Sequence, residues 1–77
     1  MNADEMFEKL GYEIDSTYEI EGHLHYCKND EKVDFDLKRR CVFKYNLHGY
    51  RSVITMDMLK AINKKCEELG WLKEVEE

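Results

Sequence analysis

Apolar positions near the N-terminus recur at the spacing of an amphipathic helix, i, i+3, i+4 and i+7. These positions are Ala3, Met6, Phe7 and Leu10. Asn2 is placed to cap this helix, and Glu5, three residues later, completes a capping box. Gly11 can adopt the left-handed conformation that ends a helix, so we expect Tyr12 to fold back onto the apolar stripe.

Residues 12–28 alternate between apolar and polar side chains, a period typical of half-buried strands. A turn is predicted at residues 15–17. Gly22 is interpreted as a bend inside a strand, because the apolar parity is the same on both sides of it. The apolar positions are Tyr12, Ile14, Tyr18, Ile20, Leu24 and Tyr26.

Two more alternating segments predict further strands. One carries Val33, Phe35 and Leu37, and the other carries Cys41, Phe43, Tyr45 and Leu47. A slip of one residue reverses the faces of a strand, so we expect apolar residues to pair with apolar residues. A four-residue loop at 29–32 would pair Tyr26 with Phe35, and a three-residue loop at 38–40 would pair Phe35 with Phe43. A turn at His48-Gly49 would lead to a short fourth strand at 50–54.

A second helix is predicted from Thr55, a favourable N-cap, to Gly70, a favourable stop. Its apolar stripe is Met58, Leu59, Ile62, Cys66 and Leu69. Together the elements predict one small α+β domain over residues 1–77, with two layers. Both helices would pack on one face of a three- or four-stranded antiparallel meander. We expect residues 72–77 to fray, and Trp71 and Leu72 to pack on the sheet or contact a second subunit.

Composition narrows the functional classes. The chain has 77 residues and a net charge of −5, distributed as −6 over residues 1–27, +3 over 28–54 and −2 over 55–77. The acidic total disfavours a general nucleic-acid binder. The sequence contains no long apolar run, and its start does not resemble a signal peptide, so we expect neither a membrane span nor export. Cys27, Cys41 and Cys66 are widely spaced, which favours reduced thiols in the cytoplasm of a host cell.

One group of residues has the side chains of a metal site. His23, His25 and Cys27 share one face of the predicted strand. The predicted register places His25 opposite Asp36 and Cys27 opposite Asp34, within reach of a shared divalent ion. Alternatively, this face is simply solvated and Asp34 pairs with Lys44. We favour a protein without a metal or other cofactor, and the sequence leaves the question open.

A basic loop provides the strongest candidate for contacting a partner. Lys38, Arg39 and Arg40 form its tip, and Tyr50 and Arg51 are possible anchors beside it. Such a cluster can bind phosphate or an acidic protein surface. Alternatively, these charges keep a sheet edge from aggregating.

Catalysis has little support in the sequence. It contains no glycine-rich phosphate loop, no GxSxG and no HExxH. Cys41 and Cys66 fall on apolar stripes and are expected to be buried and inert. We therefore predict that the chain is not an enzyme.

Several segments suggest a lineage. MNADEMFEKLGYE at the start and ITMDMLKAINKKCEELGW near the end, with VDFDL and FKY between them, resemble a family of short phage and prophage proteins of Firmicutes. The resemblance covers most of the chain and implies no particular chemistry. It implies a cytoplasmic protein that binds host proteins without catalysis, as inhibitors of host defence do.

The functional hypothesis is therefore a binding module for a host or phage protein with an acidic patch. An alternative is a binder or sponge for a nucleotide-like ligand, with its pocket formed in an oligomer such as a homodimer. The third hypothesis, weak nucleic-acid binding through the basic middle of the chain, is disfavoured by the net charge.

Overall fold

The computed structural model describes residues 1–15 and 21–73. The elements are α1 (Ala3–Lys9), β1 (Glu13–Asp15), β2 (His23–Lys28), β3 (Glu31–Asp36), β4 (Cys41–Asn46) and α2 (Met56–Glu68). The strands form one antiparallel sheet in the order β1-β2-β3-β4. The predicted α+β meander is thus confirmed. Several predicted features lie outside the described residues: the turn positions 16 and 17, the strand positions Tyr18 and Ile20, and positions 74–77 of the segment expected to fray.

The first helix forms as its capping residues predict. The Asn2 side chain accepts the Glu5 backbone N–H at 2.8 Å, and the Glu5 carboxylate accepts the Asn2 N–H at 3.1 Å. Gly11 ends the turn with φ +88°, which a side chain would resist. The Tyr12 N–H then bonds to the carbonyl of Phe7 at 3.0 Å. Tyr12 is buried, so its predicted return to the apolar stripe is confirmed.

The second helix also has the predicted ends, but its buried face is rotated. Thr55 Oγ1 accepts the Met58 N–H at 3.2 Å, and Gly70 has φ +77°. Met58 and Ala61 are buried, whereas Leu59 is 48% exposed. The prediction that Leu59 belongs to the buried stripe of this helix was therefore wrong. None of the described helices has the length and apolar character that a bilayer span requires.

The core lies between the helices and one face of the sheet. The Phe7 ring stacks on Tyr26 with 3.9 Å between centroids, and Phe35 meets both rings edge-on. Trp71 closes this cluster at 6.2 Å from Phe35. Because these contacts come from α1, β2, β3 and the chain after α2, both helices cover the same face of the sheet.

The β2–β3 register differs from the predicted one by two residues. A two-residue turn replaces the expected four-residue loop, and Asn29 adopts φ +52°, a conformation that asparagine tolerates. Tyr26 therefore pairs with Val33, and Leu24 pairs with Phe35. An even shift keeps every side chain on its predicted face.

The β3–β4 register differs by one residue and reverses the predicted faces of β4. Asp36 pairs with Cys41 and Phe35 with Val42, so the connection has four residues rather than three. Two contacts favour this longer turn: the Asp36 carboxylate accepts the Lys38 and Arg39 N–H groups, and Leu37 donates its N–H to the carbonyl of Gly22. Val42 consequently faces the helices. Cys41, Phe43 and Tyr45, predicted to be core, lie on the other face.

Two further strand predictions were wrong. Residues 50–54 form no strand, and the fourth strand is β1 at the opposite edge of the sheet. Gly22 does not lie inside a strand, because β2 begins at His23 and Gly22 has φ +84°. The Gly22 carbonyl instead accepts a hydrogen bond from the Leu37 N–H, so this glycine belongs to the segment that precedes β2.

Alanine substitutions can test which phenylalanine is in the core. We expect Phe7→Ala to lower the free energy of unfolding by about 3–5 kcal/mol, because Phe7 is fully buried. Phe43→Ala should lower it by less than about 1 kcal/mol, because its ring is about half exposed. Urea denaturation followed by circular dichroism measures both losses. Equal losses would contradict the register of β4.

Candidate functional site: the open face and the β4 edge

The face of the sheet that points away from the helices is here called the open face. It carries two of the histidines, two of the cysteines and four carboxylates of the strands. The pairing places on it Glu13, Asp15, His23, His25, Cys27, Lys32, Asp34, Asp36, Cys41, Phe43 and Tyr45. The face is polar towards β1 and aromatic towards β4. It therefore offers two different surfaces side by side.

Three of these side chains converge on one another and are here called the histidine cluster: His23, His25 and Asp34. Asp34 Oδ1 lies 3.0 Å from His23 Nδ1 and 3.3 Å from His25 Nε2. The three donor atoms all lie within 4.8 Å of one another, the one such group of three found in residues 1–15 and 21–73. The cluster is partly enclosed, with side-chain exposures of 33% for His23, 11% for His25 and 15% for Asp34.

The observed register changes the membership of the predicted metal group. His25 lies opposite Asp34 rather than Asp36, and Cys27 lies opposite Lys32 rather than Asp34. The Asp36 carboxylate accepts hydrogen bonds from the backbone of the β3–β4 turn. The bond from the Arg39 N–H lowers the pKa of this carboxyl most, and the nearby His23 and the Lys38 N–H lower it further. The predicted group of five therefore reduces to three side chains. The predicted alternative pair of Asp34 and Lys44 does not form, because these residues lie on opposite faces.

The cysteines are placed as ordinary thiols. Burial raises the pKa values of the Cys27 and Cys66 thiols, which disfavours the reactive thiolate form. Cys66 packs against the core as predicted. Cys41 does not follow the prediction of a buried position, because the reversed β4 register places it half-buried on the open face.

Exposed apolar side chains are concentrated on β4 and the chain that follows it. Within the described residues, no strand pairs with the outer edge of β4. Eight large apolar side chains between Phe43 and Leu59 are at least 37% exposed. They are Phe43, Tyr45, Leu47, Tyr50, Val53, Ile54, Met56 and Leu59. Sequence parity placed Phe43, Tyr45 and Leu47 in the core, so it missed this surface.

A polar network on the helix-facing side holds this segment in place. Lys44, with only 7% of its side chain exposed, contacts Glu31 at 3.1 Å and Ser52 Oγ at 2.6 Å. Ser52 donates to Glu31 at 2.9 Å, and Asn46 donates to the other Glu31 oxygen at 3.0 Å. The network thus fixes Ser52, and with it the connector from β4 to α2, against the end of β3. Nothing in the spacing of these four residues revealed it.

The predicted basic site is divided between two ends of the sheet. Lys38, Arg39 and Arg40 are exposed at the β3–β4 turn. Tyr50 and Arg51 are also exposed but follow the other end of β4, where Arg51 lies near Asn46 and the β2–β3 turn. A six-residue strand is about 17–20 Å long, so the two groups do not form one patch.

The two predicted tail contacts separate. Trp71 packs on Phe35 within the same chain, which is the sheet-packing alternative. Leu72 is 56% exposed. Trp71 is therefore part of this domain's own core, and Leu72 is available at its surface.

Comparisons of the chain with protein-family models, with curated proteins and with solved structures found no significant match.

The Glu31 network predicts a specific pH dependence. Hydrogen bonds from Asn46, Ser52 and Lys44 lower the pKa of the Glu31 carboxyl. The network therefore stabilises the fold above the ordinary pKa of 4.5, and this stabilisation is lost as the pH falls through the lowered value. We expect Glu31→Gln to melt at a lower temperature than the wild type at pH 6.

The difference in melting temperature should shrink as the pH falls below 4.5 and disappear below the lowered pKa of the Glu31 carboxyl, because both side chains are then uncharged. Glu67→Gln is the control, since the Glu67 contact with Lys64 is an exposed pair 3.9 Å apart and contributes little. Thermal melts from pH 6 to pH 3 give the result. A difference that is the same at both limits would argue against a charge-dependent network.

Proposed function

We propose that the chain is a non-enzymatic binding module that engages a host or phage protein through the edge of β4. The observation that carries the proposal is an open edge strand with exposed aromatic side chains. Phe43 is 48% exposed and Tyr45 is 37% exposed, and Tyr50 beyond them is 73% exposed. A small domain has no packing reason to hold its aromatic residues in this way, which favours an interface.

The edge offers a means of attachment as well as apolar area. An edge strand presents backbone N–H and C=O groups that an extended segment of another protein can pair with. Aromatic side chains beside such a strand bury large areas with little loss of conformational entropy. Phe43, Tyr45 and Tyr50 are therefore the expected anchors.

Charge indicates the chemistry of the partner. The basic residues Lys38, Arg39 and Arg40 lie at one end of β4, and Arg51 lies beyond the other. A segment lying along β4 would have cationic side chains near its end at the β3–β4 turn. We infer that the partner supplies an extended, acidic segment, because complementary charges accelerate encounter and fix the register.

The resemblance to phage proteins of Firmicutes supports a bacterial host protein as the partner. More specifically, we propose that this partner is a component of host defence.

No observation favours the nucleotide sponge. A surface depression of about 400 Å³ is lined by Asp4, Glu8 and Glu13. Such a depression repels an anionic ligand.

Charge substitutions on β4 test the proposed surface. In captures from lysate of a Firmicutes host, we expect one protein to bind the wild type stoichiometrically. Phe43→Glu combined with Tyr45→Glu should reduce that binding at least about tenfold, because it removes two aromatic side chains that the complex would bury and repels an acidic segment. Native mass spectrometry measures the bound fraction. Arg39→Glu with Arg40→Glu should weaken the same complex and reduce its sensitivity to salt.

Ile14→Glu is the matched control, because Ile14 is 52% exposed at the opposite edge of the sheet. It should leave the complex intact. A captured protein that binds all variants equally would contradict the β4 site. A stable oligomer of the chain carrying a small anionic ligand would instead support the sponge hypothesis.

A further inference from the structure

We propose that His23, His25 and Asp34 form a binding site for a divalent transition-metal ion of the zinc type. The proposal is independent of the protein-binding function, although both use the open face. The sequence favoured a chain without a metal. That expectation rested on the tighter turns and larger number of cysteines that structural zinc sites usually have. The predicted register spread the candidate ligands over five side chains, whereas the observed register brings three of them together.

The strands bring the ligands together without help from loops. His23 and His25 are two positions apart on β2, so they project from the same face. Asp34 lies directly opposite His25 and diagonally from His23. Two adjacent strands therefore fix all three side chains, which is the rigid support that a metal site needs.

The distances fit a shared ion. In a tetrahedral site with metal–ligand distances of about 2.0–2.2 Å, neighbouring donor atoms are about 3.3–3.6 Å apart. Asp34 Oδ1 is 3.0 Å from His23 Nδ1 and 3.3 Å from His25 Nε2. The three donor atoms lie within 4.8 Å of one another. The two Asp34 distances are close to this range, and binding would require the imidazole rings to turn until both nitrogens contact the same ion.

The surrounding charge favours a cation. Asp15 lies opposite His25 on β1, and Asp36 lies opposite His23 on β3. Asp34 is only 15% exposed and lies between two imidazole rings. A divalent ion would supply the positive charge that this carboxylate faces. Lys32, two positions from Asp34 on the same face, lies opposite Cys27 rather than opposite the cluster.

The donor set selects the class of ion. Two imidazole nitrogens and one carboxylate oxygen suit Zn²⁺ and its neighbours Co²⁺ and Ni²⁺, rather than ions that prefer oxygen alone or thiolate. Three protein ligands would leave the fourth position to water. His23, with 33% of its side chain exposed, marks the side from which solvent and the ion can reach the site.

Titration with the metal alone tests the proposal. The full chain is freed of metal with a chelator, desalted, kept reduced and titrated with Zn²⁺ by calorimetry. We expect one equivalent to bind, and His23→Gln and Asp34→Asn each to weaken binding at least about tenfold, because even partners outside the ligand shell change metal affinity by that factor. At the same Zn²⁺ concentration, the melting temperature of the wild type should rise more than that of His23→Gln.

The third histidine provides a matched control. His48 Nε2 also pairs with a carboxylate, Asp30, at 2.8 Å, but the pair is exposed, and residues 1–15 and 21–73 provide no third ligand beside it. His48→Gln should bind Zn²⁺ as the wild type does. In ¹⁵N spectra of the imidazole rings, Zn²⁺ should shift His23 and His25 and leave His48 unchanged, which tests the site without any substitution.

Three results would overturn the proposal. The first is no saturable binding up to about 100 μM Zn²⁺, which would leave the cluster as hydrogen-bonded side chains. The second is binding that His48→Gln removes. The third is binding that survives both His23→Gln and Asp34→Asn. Partner capture repeated in chelator keeps this test separate from the proposed protein-binding function.

Discussion

The buried side chain of Tyr26 determines how the sheet and the two helices are joined. Its ring stacks on Phe7, and its hydroxyl donates to Asp4 at 2.5 Å. Asp4 in turn lies 3.6 Å from Lys65 of α2. One side chain of β2 thus connects the sheet to both helices. Burial and the bond to Asp4 raise the pKa of the Tyr26 hydroxyl, so it remains a donor throughout the physiological range.

Burying Tyr26 also determines what the open face carries. Neighbours on a strand point to opposite faces, so a buried Tyr26 directs His25 and Cys27 away from the helices. Asp34 joins His25 because Val33 is paired with Tyr26 on the buried side. The histidine cluster is therefore a geometric consequence of the core, formed by the same register that packs the aromatic rings.

The strand β4 reverses the usual distribution of polar and apolar residues. Lys44 and Asn46 face the helix side, where Glu31 and Ser52 satisfy them. Phe43 and Tyr45 face outwards. Local rules conflict here, and such conflicts are concentrated at functional sites. Because Phe43 lies opposite Asp34, the proposed metal site and the proposed protein interface adjoin on one face.

The two helices, their capping residues and the alternation of β2 and β3 could be predicted from the sequence, because these features depend on contacts within a few residues. Pairing apolar with apolar residues also predicted the faces of β2 correctly. The register of β4 depends on tertiary contacts. The β3–β4 turn contains one residue more than predicted, and it is held by hydrogen bonds to the Asp36 carboxylate and by the bond from the Leu37 N–H to the Gly22 carbonyl. This longer turn places Phe43 and Tyr45 outside the core, although their apolar alternation predicted that they are buried. The histidine cluster and the exposed aromatic surface depend on cross-strand pairing, which no local pattern encodes.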